Sequence, residues 1–101
     1  MAYILVFGAT GFTGQKVAKE LDRRGARFVL AGRNEERLRK LASSLTSAPE
    51  VRIAYANDPE SIGKAMHEVG LVINTVGPFS DLGEEVVRCA LSRGIHYVDT
   101  T

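Results

Sequence analysis

The chain has 101 residues, 45% hydrophobic and 25% charged, with thirteen basic and twelve acidic side chains for a net charge of +1. That length allows one domain at most, and the near-neutral balance lacks the electrostatic footprint of a nucleic-acid binder. The single cysteine, Cys89, excludes an internal disulfide and a thiolate cluster, so no metal is expected.

In chain order, Tyr3–Phe7 reads as a strand, apolar throughout as strands covered on both faces are. A glycine-rich segment follows, and then a helix from about Thr13 to Arg24 with Val17 and Leu21 on one face, stopping at Gly25. Arg27–Ala31 is the second strand. Asn34 is the expected N-cap of a second helix, with Glu35 and Glu36 in its first turn and Leu38, Leu41 and Leu45 as the buried stripe. Val51–Tyr55 is the third strand. Asp58 caps a third helix with Pro59 at its first position, Ile62, Met66 and Val69 inward, and Gly70 closing it. Leu71–Thr75 is the fourth strand. A fourth helix starts near Ser80–Gly83, buries Val86, Val87, Ala90 and Leu91, and ends at Gly94, before a fifth strand at Ile95–Val98. Strand–helix alternation at this spacing predicts an α/β fold, a doubly wound Rossmann-type parallel sheet of five strands and four helices in the order 3-2-1-4-5.

The sharpest functional signal is Gly8-Ala9-Thr10-Gly11-Phe12-Thr13-Gly14, placed between the first strand and the first helix as a dinucleotide-binding turn requires. Gly8 permits the turn, Gly11 lets a pyrophosphate approach the backbone, and Gly14 lets the helix pack closely. The helix N-terminus then offers free N–H groups to the phosphates, with Thr10, Phe12 and Thr13 beside them. The spacing is GxxGxxG rather than GxGxxG. A triphosphate loop is excluded, because Gln15 stands where that motif needs lysine.

An NAD site places Asp or Glu at the tip of the second strand. Here the tip reads Gly32-Arg33-Asn34, and a guanidinium suits a 2′-phosphate as a carboxylate does not. NADP is therefore the expected cofactor, with NAD second. Arg37 either assists or is a solvated surface residue. Asn57 and Asp58, after the third strand, are adenine-contact candidates, although capping is an equal reading of Asp58. Thr75, Val76, Gly77 and Pro78, after the fourth, are candidates for the ribose and nicotinamide side. Tyr97, Asp99, Thr100 and Thr101 face either substrate or solvent.

No Tyr-x-x-x-Lys pair and no complete acid–base or nucleophilic set is present, so no catalytic residue is named. Cys89 reads as packed rather than nucleophilic, His67 as a helix-end surface residue, and His96 as structural. The longest apolar stretches, Tyr3–Phe7 and Leu71–Ile73, fall short of the roughly 20 residues of a membrane span. With no basic segment before the first strand to suggest a signal peptide, a cytoplasmic protein without membrane or nucleic-acid partners is expected.

The runs Ile4–Gly14, Leu30–Asn34, Val72–Phe79 and His96–Thr100 together resemble the saccharopine dehydrogenase-like oxidoreductases across essentially the whole chain. The resemblance implies an NADP(H)- or NAD(H)-dependent oxidoreductase in which a nucleotide-binding domain precedes a substrate and dimerisation domain. It places Gly8, Gly11 and Gly14 on the pyrophosphate, Arg33 on the adenosine phosphate and Val76-Gly77-Pro78 beside the nicotinamide. The family usually continues past the point where this chain stops. Residues 1–101 are thus expected to be an N-terminal fragment, inactive alone, whose parent moves hydride to or from a C=N, C=O or C=C bond of a small molecule. A non-catalytic NADP-sensing module and the cofactor domain of a semialdehyde or acyl-phosphate reductase are the alternatives. The exposed edge of the fifth strand suggests self-association.

Overall fold

A computed structural model describes residues 2–55, 57–76 and 81–100. The elements run β1 (Tyr3–Phe7), α1 (Phe12–Arg23), β2 (Phe28–Gly32), α2 (Glu35–Ser44), β3 (Val51–Ile53), α3 (Pro59–Ala65), β4 (Val69–Asn74), α4 (Asp81–Ser92) and β5 (His96–Asp99). The strands form one parallel sheet in the order β3-β2-β1-β4-β5, with Phe7 opposite Ala31 on one side and Asn74 on the other. The expected doubly wound Rossmann-type architecture is therefore observed, with most boundaries displaced by one or two residues and the end of α3 by more.

Alternation along β1 divides the core in two. Val6 and Ile4 face α1 and α2, packing with Ala18, Leu30, Leu38 and Leu41. Leu5 and Phe7 face α3 and α4, packing with Ile62, Ala65, Val86 and Ala90. Every residue of β2 is buried, as its unbroken apolar run requires when helices cover both faces. Full burial of each Leu or Phe in these layers contributes about 1.5–3 kcal/mol.

Caps behave as the sequence predicts in α2 and α3. Asn34 Oδ1 accepts from the Arg37 amide at 3.0 Å, and Asp58 Oδ1 accepts from the Ser61 amide at 3.3 Å. Two expectations are corrected. α3 ends at Ala65, and Gly70 lies within β4. Glu68 (φ 60°) makes the reversal, while Gly70 sits where the β1–β4 register shifts between Tyr3 and Ile4. A Cβ at Gly70 would lie 2.7 Å from that of Ala2, so the glycine serves a strand irregularity rather than a helix end. Val69 is buried, as expected, but from the strand. Leu91, expected inward, is 70% exposed, because Val86 and Ala90 already occupy the face of α4 that meets the sheet and no described element covers the next one.

Candidate functional site

The carboxyl ends of three strands meet at the glycine segment. The Gly8 and Ala9 amides donate to Ala31 O of β2 at 3.0 and 3.3 Å. From the other side the Thr75 amide donates to Phe7 O at 3.0 Å. The Thr75 hydroxyl lies 2.6 Å from Phe7 O and 3.0 Å from Gly8 O. Gly8–Gly14, Arg33–Asn34 and Thr75–Val76 are thereby gathered at one edge of the sheet, the crevice where doubly wound folds bind ligands. Asn57 and Asp58 follow β3, two strands from β1. Gly77 and Pro78 lie outside the described residues.

The three glycines are held by different requirements. Gly8 has φ +78°, and a Cβ there would stand 2.5 Å from Val76 Cγ1 and 2.7 Å from Thr75 Oγ1. A Cβ on Gly14 would overlap Gly8 O and lie 2.8 Å from Ala9 Cα, so α1 can sit this close to β1 only with glycine there. Gly11 is different. Its φ of −73° suits any residue, and its Cβ would meet nothing nearer than Gly8 O at 3.5 Å. The protein's own packing leaves Gly11 free to be another residue. It is also the N-cap of α1 and provides no side-chain cap. The first-turn N–H groups that follow it have no intrahelical acceptor and carry the positive end of the helix dipole. Bare backbone, open space and unsatisfied donors suit a phosphate.

Several side chains singled out from the sequence have internal partners. Asn34 and Asp58 are caps, and Thr75 ties β4 to the glycine segment. Thr13, Arg33, Asn57 and Phe12 are exposed, with Lys16 Nζ 4.2 Å from the centre of the Phe12 ring. Gln15 Nε2 donates to Thr10 O at 2.9 Å, bracing the middle of the loop. Asn74, which heads the segment read after the fourth strand, is fully buried; its partners were not legible from the sequence. Its Oδ1 accepts from the Val76 amide at 3.0 Å and its Nδ2 donates to Tyr97 Oη at 2.9 Å, linking the β4 turn to β5. An asparagine closing an otherwise apolar strand was the available signal. Burial, opposed by the Asn74 hydrogen bond, holds the Tyr97 phenol above its usual range, so it stays protonated at neutral pH.

On the opposite face a larger groove of about 700 Å³ lies between β3, α3 and α4. Its lining mixes acids with bases, and Arg52 there already donates to Ala65 O at 2.9 Å and pairs with Glu50. It holds none of the crevice residues. Cys89 borders it half-buried, its thiol pushed up by burial and by Glu85, which opposes a nucleophilic thiolate.

Residues 4–101 match the family described as Saccharopine dehydrogenase NADP binding domain. The chain belongs to that family. NADP is the family's cofactor, and the bare Gly11 backbone, the open first turn of α1 and the acid-free β2 tip with Arg33 fit it. A lipid droplet localized protein of Caenorhabditis elegans is 34% identical over 95% of this chain and 25% of its own length. A trans-acting enoyl reductase of Mycobacterium ulcerans is 34% identical over 97% of this chain and 25% of its own. The structure of Citrobacter sp. triphenylmethane reductase complexed with NADP(H) superposes with a TM-score of 0.79 at 29% identity, covering 96% of this chain and 36% of that one. The chain thus spans about a quarter of the curated relatives it matches. Among the described residues no helix is long and apolar enough to cross a membrane. The nematode relative is described as lipid droplet localized, and none of these likenesses supports the cytoplasmic expectation.

Proposed function

We propose that this chain is the NADP(H)-holding part of a longer oxidoreductase that moves hydride to or from a C=N, C=O or C=C carbon of a small molecule. The observation that carries this reading is Gly11, a glycine that the protein's own packing does not require, set at the open N-terminus of a helix at the sheet crevice. Reductase relatives support the reaction class. In this reading Gly11 leaves room for the pyrophosphate, Gly8 and Gly14 set the turn and the helix seat that bring it there, and the first-turn amides of α1 bind it. Arg33 meets the adenosine 2′-phosphate, and Thr75 and Val76 flank the nicotinamide side. Bound NADPH supplies the hydride. The chain's own residues supply binding and orientation. The parent's remaining length would supply substrate contacts, and the outer edge of β5 would supply a self-association surface.

Calorimetric titration with NADPH and NADH tests the reading. NADPH should bind more tightly, and Arg33→Asp should shift the ratio toward NADH by about 10–100-fold, the worth of one charge-assisted contact. Gly11→Ala should weaken both cofactors while leaving the unfolding midpoint in place. Equal binding of NADPH and NADH by the unmodified protein would remove the Arg33 assignment. Unchanged binding in Gly11→Ala would remove the pyrophosphate site.

A further inference from the structure

Asn74, the last residue of β4, is fully buried, so both ends of its amide need partners inside the protein. The Val76 N–H can only donate, which fixes Asn74 Oδ1 against it at 3.0 Å. Nδ2 then points at Tyr97 Oη, 2.9 Å away on β5, and the phenol oxygen must accept. The phenol directs its own proton at Asp99 Oδ2, a longer contact of 3.4 Å. The chain of bonds therefore has one direction, from the Val76 backbone through Asn74 and Tyr97 to a carboxylate at the tip of β5. Register explains the reach. Tyr97 lies opposite Val72 and Asp99 opposite Asn74, so the long side chain of Tyr97 extends along β5 toward the crevice, while its ring packs on the α3–α4 side of the core. The same turn is held from its other side, where the Thr75 amide and hydroxyl bond Phe7 O. Thr75 and Val76 are thus clamped between the glycine loop and β5. Backbone pairing already joins β4 to β5, so the Tyr97 hydroxyl is not needed for the sheet; what it orients is the turn.

We propose that Tyr97 is a positioning residue for the nicotinamide half of the cofactor, fixing the backbone of the β4 turn at Val76 through Asn74. The proposal rests on the reading above that Thr75 and Val76 flank the nicotinamide side, and it adds a residue of β5 to that reading. The sequence leaves Tyr97 facing substrate or solvent, whereas in the structure its hydroxyl is engaged with Asn74. Removing that oxygen leaves Nδ2 buried without its acceptor. The amide is then free to rotate, and the Val76 N–H loses its fixed partner. A nicotinamide ring resting on this turn would meet a backbone of several conformations instead of one, and binding would have to order it. The phosphate half of the cofactor rests on the glycine loop and α1, to which neither the Asn74 nor the Tyr97 side chain is hydrogen-bonded, and is spared.

The test compares the unmodified chain with Tyr97→Phe, which removes one oxygen and keeps the packed ring. Calorimetry reads two ligands, NADPH and 2′-phospho-ADP-ribose, the second lacking only the nicotinamide ring. Hydrogen exchange at the Val76 amide, read by NMR without ligand, reports the clamp directly. In Tyr97→Phe the Val76 amide should exchange about tenfold faster. NADPH should bind about fivefold more weakly, the worth of one neutral hydrogen bond, and 2′-phospho-ADP-ribose should stay within about twofold. The ratio of the two affinities carries the result, because a loss of folded protein lowers both alike. If both ligands weaken equally, Tyr97 serves the fold alone and the proposal fails. It fails also if the Val76 exchange or the affinity ratio is unchanged. These outcomes leave the reading of the β4 turn intact as long as the unmodified chain binds NADPH more tightly than 2′-phospho-ADP-ribose. Equal binding of the two by the unmodified chain would instead overturn the placement of the nicotinamide on that turn, and the proposal with it.

Discussion

The two flanks of β1 differ in how completely they are covered. On one flank, β2 is buried along its whole length between α1–α2 and the opposite layer. On the other, β5 alternates, with His96 exposed and Val98 48% exposed. Val98 pairs with Ile73, and Ile73 with Val6, so it lies on the face that α1 and α2 cover over the first three strands. The helices stop short of it. The covered flank also carries Lys19, Arg33, Arg37 and Lys40, none with a carboxylate within 4 Å among the described residues. On the other flank Lys64 and Arg88 have carboxylates within 4 Å. Complete burial of a strand thus goes with the flank where α1 and α2 meet the glycine loop.

This contrast can be broken by substitution. Leu38→Ala, in the fully buried layer of the covered flank, should lower unfolding free energy by about 3 kcal/mol in denaturant titration, the cost of a lost core side chain and its cavity. A loss under about 1 kcal/mol would mean that α2 is loosely seated. Gly8→Ala should cost about 2 kcal/mol, from the left-handed φ and the approach to Val76 and Thr75. NADPH affinity should fall with it, because the loop must move. Asn34→Ala should cost about 1 kcal/mol through the lost cap and change the NADPH-to-NADH ratio far less than Arg33→Asp. The smallest effect belongs to the uncovered flank, where Val98→Ala should stay within about 0.5 kcal/mol.

Acid provides a check on the carboxylates of α1. Donors from Ser47 and Thr46 hold the Asp22 carboxyl below its ordinary value, and Arg23 and Arg24 hold Glu20 down to about 2. A depressed carboxylate contributes stability that is fully present above the unfolded value, about pH 4, and is lost as pH falls through the folded one. The melting temperature should therefore fall between about pH 4 and 2, and Asp22→Asn should flatten that fall. An unchanged acid profile in Asp22→Asn would show that its bonds to the α2–β3 loop do not persist in solution.

Much was legible because it is local. Apolar runs of four or five residues bounded by Gly, Asn or Pro set the strands, and Asn34, Asp58 and Pro59 marked helix starts within one residue. The glycine spacing marked the loop, and the bare Gly32-Arg33 tip marked the cofactor. The misses arose where two elements compete for one residue. Gly70 reads equally as a helix stop or a strand irregularity until β1 is beside it, and Leu91 reads as core until the face of α4 is known.

By itself, then, the sequence determined the element order, the parallel doubly wound arrangement and the position of the dinucleotide loop, since each depends on periodicity or on chemistry within a few residues. Tertiary structure alone decided that no packing requirement holds Gly11 as glycine. It also decided that Thr75 and Asn74 lock the β4 turn, and that Lys19 and Lys40, twenty-one positions apart, line one groove between α1 and α2 while Arg23, Arg24 and Arg39 pair with Glu20 and Glu35. Those relations depend on how closely helices seat on a sheet and which way their faces turn, and no local pattern carries that information.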